Sequence, residues 1–471
     1  MVRASFFLLL GIALATAGCT LTPTYTRPEA PVPGEWPQGA AYREAPVSTG
    51  ISTAPETPWR DFFVDENLQK MIATALRNNR DLRLAALNVE RARALYGIQR
   101  GELFPVLEAN ANGGKQQIPA DLTTSGRSTT AEQYSVNLGL SSWEIDFFGR
   151  IRSLQDRALE EFLSSEQARR STEILLVAAV ANTYLILAAD RENLKLAQIT
   201  WETQKGAYDL IKRRHEVGLA SEVDLRRAQT QVDTARGDMA RFTQLAAQDE
   251  NALNLLLGSL TPAGNGTLPA DLAGVMPPRE ISAGLSSEVL LRRPDILAEE
   301  HRLKAANANI GAARAAFFPR ISLTTFIGTA SSDLTRLFAA GQDTWAFVPQ
   351  IKMPIFDARL WSALEATKVQ REIALAQYEK AIQTAFREVA DALAVRGTVD
   401  QQLAAQQSLV EASAKIHRLS QARYAKGIDS YLSVLDAQRS LYGAQQGLVQ
   451  LRLAKLANQV RLYAVLGGGA D

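Results

Sequence analysis

The chain is written twice. Asp81-Leu82 returns as Asp295-Ile296 and Phe104-Pro105 as Phe318-Pro319, both at an offset of 214 residues. From Phe147 onward the offset is 209, pairing Phe147 with Phe356, Arg150 with Arg359, Ser153 with Ser362 and Gly218-Leu219 with Gly427-Ile428. Ser221 with Ser430, Ala228-Gln229 with Ala437-Gln438 and Leu257-Gly258 with Leu466-Gly467 keep the same spacing. The halves therefore share one order of parts, and what one half folds into, the other must accommodate too. The offset shrinks by five between the Phe-Pro and Phe/Arg landmarks, so one half carries a slightly longer insert there.

Each half opens on a helical stretch, Asn67 to Glu102 and Ser287 to Ala316, and passes through about 40 residues poor in helix signals. Two long helices around a short break follow: Arg150 to about Val217 and Ser221 to Leu257, then Arg359 to about Lys426 and Ser430 to Leu466. No proline interrupts Arg150 to Val217. A helix of that length would span roughly 100 Å, against ~10–14 residues for a globular helix. Ala, Leu, Gln, Arg and Glu dominate, all good helix formers. Leu194, Ala197 and Trp201, and later Leu403, Leu409 and Val410, recur at helical spacing. A long bundle or coiled coil is expected.

The inserts alternate with period two. Leu107, Ala109 and Ala111 stand against Glu108, Asn110 and Asn112, and Tyr134, Val136, Leu138 and Leu140 against Ser135, Asn137, Gly139 and Ser141. Ile321 and Leu323 alternate with Ser322 and Thr324, and Trp345, Phe347, Pro349, Ile351, Met353 and Ile355 share one face. Asp121 to Thr130 and Ser331 to Asp333 read as loops. Such strands fit a barrel wall with lipid outside and water inside. They also fit a soluble antiparallel sheet with one wet face. The N-terminus and the strand lengths favour the membrane. Four strands are too few to close a barrel, since the smallest have about eight. Three copies would supply twelve, although counting leaves two or four copies open.

Met1 to Gly18 has a positive start at Arg3, an apolar run from Phe6 to Ala15 and small residues before Cys19. The run is too short for a permanent membrane helix and suits a secretory signal. Thr16-Ala17-Gly18-Cys19 resembles a bacterial lipobox, with Thr16 where Leu is usual, so Cys19 is a candidate lipidation site. The alternative is an ordinary cleaved signal with a chance cysteine. Thr20, not Asp, follows, which resembles an outer-membrane address. No other stretch reaches ~18 consecutive apolar residues, so no transmembrane helix is expected.

Chemistry is sparse. The chain's 51 Lys and Arg balance 50 Asp and Glu, which gives no case for nucleic acid. Hydrophobic residues make up 46% of it, enough to exclude disorder throughout. His215, His301 and His417 have no ligand partners at metal spacing, Cys19 is the one cysteine, and no phosphate loop or nucleophile elbow appears. The expectation is no enzyme, no metal and no cofactor beyond a covalent lipid on Cys19.

Arg292-Arg293-Pro294-Asp295-Ile296 with the stretch from Ala305 to Pro319, Trp143 to Arg150, Tyr431 to Arg439 and Trp59-Arg60-Asp61-Phe62-Phe63 together resemble the TolC/OprM family of outer-membrane efflux channels, in its NodT-like lipoprotein branch. The resemblance covers nearly the whole chain. It implies a mixed fold: a homotrimer whose twelve-stranded outer-membrane β-barrel, four strands per chain, continues into a long periplasmic α-helical barrel. The division is then a signal peptide at 1–18, a lipidated segment and equatorial belt at 19–66 and a first repeat at 67–258. A linker at 259–286, a second repeat at 287–467 and a tail at 468–471 complete it.

The implied role is the exit duct of a tripartite pump for drugs, solvents or other small toxic compounds. Its partners would be a periplasmic membrane-fusion adaptor, an inner-membrane proton-driven pump and outer-membrane lipid. Polypeptide secretion, metal-ion efflux and a poreless coiled-coil scaffold remain alternatives. By the same resemblance Val217, Gly218, Leu219, Gly427 and Ile428 form periplasmic tips that dock the adaptor, against the alternative of purely structural turns. Leu432 and Asp436 would form the gate, four residues apart on one helix face. Arg423 and Tyr424 would hold it by bonding to carboxylates of a neighbouring helix pair, Asp209 among them, unless Asp436 simply pairs with Arg439.

Overall fold

Where proline is absent the helices run on, and where Phe-Pro intervenes the chain turns to strand. A computed structural model describes residues 20–42, 54, 57–258, 268–281 and 286–468. Cys19 and the signal segment lie outside the described residues. Helices α1 (Trp59–Phe62), α2 (Glu66–Asn78) and α3 (Arg80–Gly101) lead to strands β1 (Leu107–Ile118) and β2 (Thr129–Ile145), then to α4 (Arg150–Glu216) and α5 (Glu222–Leu257). The order returns as α6 (Pro294–Ala315), β3 (Arg320–Ser331), β4 (Asp343–Lys352), α7 (Ala358–Ala425) and α8 (Tyr431–Val465).

The leading helix is not continuous. Asn79 is extended, with ψ 134°, and separates α2 from α3. Its amide nitrogen donates to the Leu256 carbonyl at 3.0 Å, while its side-chain oxygen accepts from Leu82 N at 2.9 Å. One side chain thus caps the start of α3 and ties the break to α5, a contact 177 residues away that no local pattern reveals. The same break falls at Arg293, 214 residues on, with ψ 135°. Here Pro294 excludes the helical conformation from the residue before it. Ser287–Arg292 is accordingly a 3-10 helix and not the start of an α-helix. The half-helix beyond it, α6, begins on Pro294.

The chain forms two compact units, each gathered from three stretches of sequence. The first takes the described residues up to Glu29 with Asn88–Ser165 and Ala298–Tyr378. It holds a four-stranded antiparallel sheet in the order β1-β2-β3-β4. Pairing puts Leu107, Leu140, Thr325 and Phe347 at one level and Ala109, Leu138, Ile327 and Trp345 at the next, all on one face. The opposite face carries Glu108, Asn110, Asn112, Ser135, Asn137, Ser322 and Thr324. β1 continues past Asn112 to Ile118, and Thr129-Thr130, expected as loop, already pair with Ile118 and Gln117. Ser331 likewise ends β3 instead of opening a loop.

β2 shifts register between Leu140 and Trp143 at a bulge where Ser142 has φ 52°. Just beside it the two inner strands approach so closely that only glycine fits. A Cβ on Gly139 would meet the Thr325 carbonyl oxygen and lie 2.6 Å from Phe326 Cα. One on Gly328 would meet the Val136 carbonyl oxygen and lie 2.6 Å from Asn137 Cα. Both glycines belong to the polar face, so the sheet curls toward that side.

The N-terminal stretch of this unit is laced along α6. Leu21 O accepts from Arg314 at 3.1 Å, Pro23 O from Asn307 at 2.7 Å, and Glu300 takes Tyr25 OH at 3.3 Å and Arg27 at 2.5 Å. The partners fall from 314 to 300 as the strap rises from 21 to 27, so strap and helix run antiparallel.

The second unit comprises Ala30–Leu87, Glu166–Leu297 and the described residues from Glu379. Its core includes Ile174, Val180, Tyr184 and Leu187 of α4, and Phe62 of α1 stacked on Tyr463 of α8 with ring centroids 3.9 Å apart. One window of α4 is apolar enough to cross a membrane by length and composition, but 56% of it is buried within the chain. It serves as core. The Arg293 guanidinium is also buried here, its fork gripping Asp295 at 2.7 and 3.0 Å with further bonds to Glu388 at 3.0 Å and Val465 O at 2.6 Å. Burial alone would lower its pKa, but the two carboxylates outweigh it and hold it above the ordinary value.

Candidate functional site

The long helices of each half reverse through the same backbone device. At the end of α4, Gly218 takes φ 77°, its N–H donates to His215 O at 2.9 Å and Leu219 N donates to Arg214 O at 2.7 Å. At the end of α7, Gly427 takes φ 73°, with Gly427 N to Tyr424 O at 2.9 Å and Ile428 N to Arg423 O at 3.0 Å. This six-to-one, five-to-two pattern satisfies the last carbonyls of a helix and needs a left-handed residue, the reason glycine stands there. Ser221 caps α5 by accepting from Asp224 N at 3.1 Å. Ser430 holds the matching place before α8 but makes no side-chain cap bond, so a side-chain cap forms on one turn only.

The two turns meet over a small core of Ile211, Ala228, Tyr431, Val434 and Leu435. Tyr424 packs on it and lies 5.2 Å from the Tyr431 ring. Burial, and then Tyr424, pushes the Tyr431 hydroxyl up to about 12. Val217, Leu219 and Ile428 point the other way and stay 69, 70 and 58% exposed. Apolar side chains this open at the apex of ordered turns cost hydration and gain no packing within the chain.

The polar links differ in part from those expected. Arg423 does not reach Asp209. Its Nε and Nη2 close a fork on Asp429 of its own turn, at 2.6 and 3.0 Å. These bonds hold the Asp429 carboxyl below the usual carboxylate range. Among the described residues Tyr424 meets no carboxylate, and its hydroxyl accepts from Arg214 Nη1 at 2.8 Å. Asp209 is exposed and has no polar partner among the described residues. A six-residue fork within a turn forms at far lower entropic cost than a link to another helix, which explains where Arg423 goes. Leu432 and Asp436 both face outward from α8, with Asp436 2.8 Å from Arg439. That pair is 54 and 70% exposed, so it contributes little and leaves the carboxylate free to respond to other charges.

Two links escape the sequence. Arg214 joins the first turn to the second through Tyr424, 210 residues away. His215 turns Nδ1 to Ala220 O at 3.0 Å and Nε2 to Glu222 at 3.1 Å, bridging α4 to α5. The 209-residue offset is the signal that bears on both, since it superposes Arg214 on Arg423 and His215 on Tyr424.

Residues 71–259 and 285–468 match a family model described as outer membrane efflux protein. The chain is 50% identical over 463 residues to the toluene efflux pump outer membrane protein TtgC of Pseudomonas putida, covering 97% of this chain and 94% of that one. It is 42% identical over 466 residues to outer membrane protein OprJ of Pseudomonas aeruginosa, covering 98 and 95%. Its structure is similar to the open state of the Neisseria gonorrhoeae MtrE outer membrane channel, with TM-score 0.85, 38% identity and coverage of 96 and 99%.

Proposed function

Because this chain belongs to the outer membrane efflux protein family, we propose that it discharges small apolar toxicants and that its two interhelical turns receive the rest of the pump. The protein is a trimeric outer-membrane channel in a family of channels. Four strands per chain build a twelve-stranded barrel continuous with a long helical barrel that extends into the periplasm. It is the exit duct of a tripartite efflux pump.

Relatives are named for toluene, solvent and antibiotic efflux, and the same classes of cargo are assigned here. The partners are a periplasmic membrane-fusion adaptor and an inner-membrane proton-driven pump. One observation carries the docking surface: Val217-Gly218-Leu219 and Gly427-Ile428 repeat one turn with uncovered apolar apices. Leu432 and Asp436, outward on α8, form the gate. In a trimer each recurs three times, and three Asp436 carboxylates drawn together repel one another. Arg423, through Asp429, and Tyr424, through Arg214, brace the turns beneath that strain. Cys19 carries the lipid. The strap supports this reading, because Leu21 sits at Arg314, six residues before β3 begins.

The test is Gly218→Val in a strain lacking its own channel. Trimer is expected at normal level in the outer membrane, with loss of toluene and drug resistance and loss of cross-linking from Ile428→Cys to the adaptor. Full resistance at normal expression sinks the docking surface. Intact-mass measurement of the mature protein tests the lipid, and an unmodified Cys19 rejects it.

A further inference from the structure

β3 begins and β4 ends on a cation, and the two are direct cross-strand partners: Arg320 pairs with Lys352. Register fixes their side. Ile321 and Ile351 belong to the apolar face with Leu323, Phe347 and Trp345, so Arg320 and Lys352 belong to the opposite face with Ser322 and Gln350. Phe326, Ala346 and Val348 share this face, but Asn110, Asn112, Ser135, Asn137, Ser322, Thr324 and Gln350 make it the polar side, which does not meet lipid in a membrane barrel and so lines the lumen. Both cations are exposed, and neither has an ion pair among the described residues. Three of the carboxylates at the neighbouring strand ends are already engaged, Glu144 with Arg150 at 2.8 Å, Asp146 with Arg152 at 3.2 Å and Asp357 with Arg359 at 2.7 Å, and the one without an ion pair among the described residues, Glu108 of β1, leaves each chain with two unpaired cations against one unpaired carboxylate at this end of the sheet. Like charges placed opposite each other across a strand pair destabilise a sheet. Sheet stability therefore gives no reason for this pair.

The trimer repeats the pair three times. We propose that the two cations of each chain, six in all, form a basic collar around the barrel lumen where the strands meet the helices, and that it binds small polyvalent oxyanions. Rings of Arg and Lys select anions and phosphates in pores, and the guanidinium fork adds bidentate geometry to the attraction. The collar recruits phosphate-bearing solutes into this section of the duct and locally favours chloride over potassium, opposing the cation preference of the Asp436 ring at the gate. It rests on the channel reading above.

The experiment uses the full trimer in a planar bilayer under a KCl gradient, with tripolyphosphate as the probe. Wild-type trimers are expected to show a concentration-dependent tripolyphosphate block. Arg320→Gln with Lys352→Gln should lower the chloride-to-potassium permeability ratio by about threefold or more and abolish the block. Lys352→Gln alone should give an intermediate shift if the double variant assembles poorly. Lys115→Gln removes the same charge from the lipid-facing side of β1 and should change neither reading. Current with unchanged ratio and unchanged block in the Gln variants overturns the collar alone. Absence of any current in wild-type trimers overturns the channel reading on which it stands.

Discussion

Gly139→Ala isolates the closest contact in the sheet. The added methyl would press on the Thr325 carbonyl oxygen and on Phe326 Cα at 2.6 Å, and both are backbone of the paired strand. Backbone in a hydrogen-bonded register cannot rotate away as a side chain can, so the strain belongs at the upper end of overpacking, about 3 kcal/mol. Replacing glycine also stiffens the unfolded chain, which returns about 0.4–1 kcal/mol. The net loss is about 2 kcal/mol per chain and, with three copies closing one barrel, about 6 kcal/mol per trimer. Gly114→Ala is the control, because nothing lies within 4 Å of its would-be Cβ. Heat dissociation of detergent-resistant trimers reads the difference. Gly139→Ala should dissociate well below wild type, and Gly114→Ala at or slightly above it. If the two variants dissociate together, the close approach of β2 and β3 is not what sets barrel curvature.

Arg293→Ala should destabilise by about 3 kcal/mol, because Asp295 and Glu388 lose their shared partner in a half-buried site; Arg293→Lys, which keeps the charge but not the fork, should recover only part of it by the same heat assay. Burial first, and then Asp190, pushes Asp249 up to about 6. The folded state therefore binds a proton that the unfolded state has already released, and this contribution to stability falls as pH rises from about 4 to about 6. Asp249→Asn should raise the dissociation temperature at pH 7.5 and leave it unchanged at pH 4, and an equal rise at both would reject a raised Asp249 carboxyl as the cause. Asp436→Ala should lower cation selectivity in single-channel recordings and Arg423→Ala should raise conductance; recordings that match wild type in both respects would move the gate to other residues.

What the sequence makes legible is what its local chemistry enforces. The long helices can be read from proline-free runs of helix formers, and the switch to strand from Phe104-Pro105 and Phe318-Pro319. The turns around Gly218 and Gly427 can be read because a left-handed residue is needed and glycine supplies it. The remainder depends on distant partners. Gly113-Gly114-Lys115-Gln116-Gln117 has little strand character, yet it is strand because Thr130 to Tyr134 lies opposite it. Asn79 breaks a helix with no proline or glycine nearby because Leu256 receives its amide. Arg423 chose a carboxylate in its own turn over one on another helix, and only geometry distinguishes the two.

The sheet ends on two open edges, β1 and β4. Lipid tolerates no unpaired strand edge, so each edge must be closed by another copy. That makes the gene product genetically dominant when it is defective but still pairs. In a cell making equal amounts of wild-type and docking-dead chains, only roughly one trimer in eight would be free of a faulty subunit. A single bad allele on a plasmid would then sensitise a resistant strain more strongly than halving the gene dose. A variant crippled in its edge strands would be excluded from mixed trimers and remain recessive.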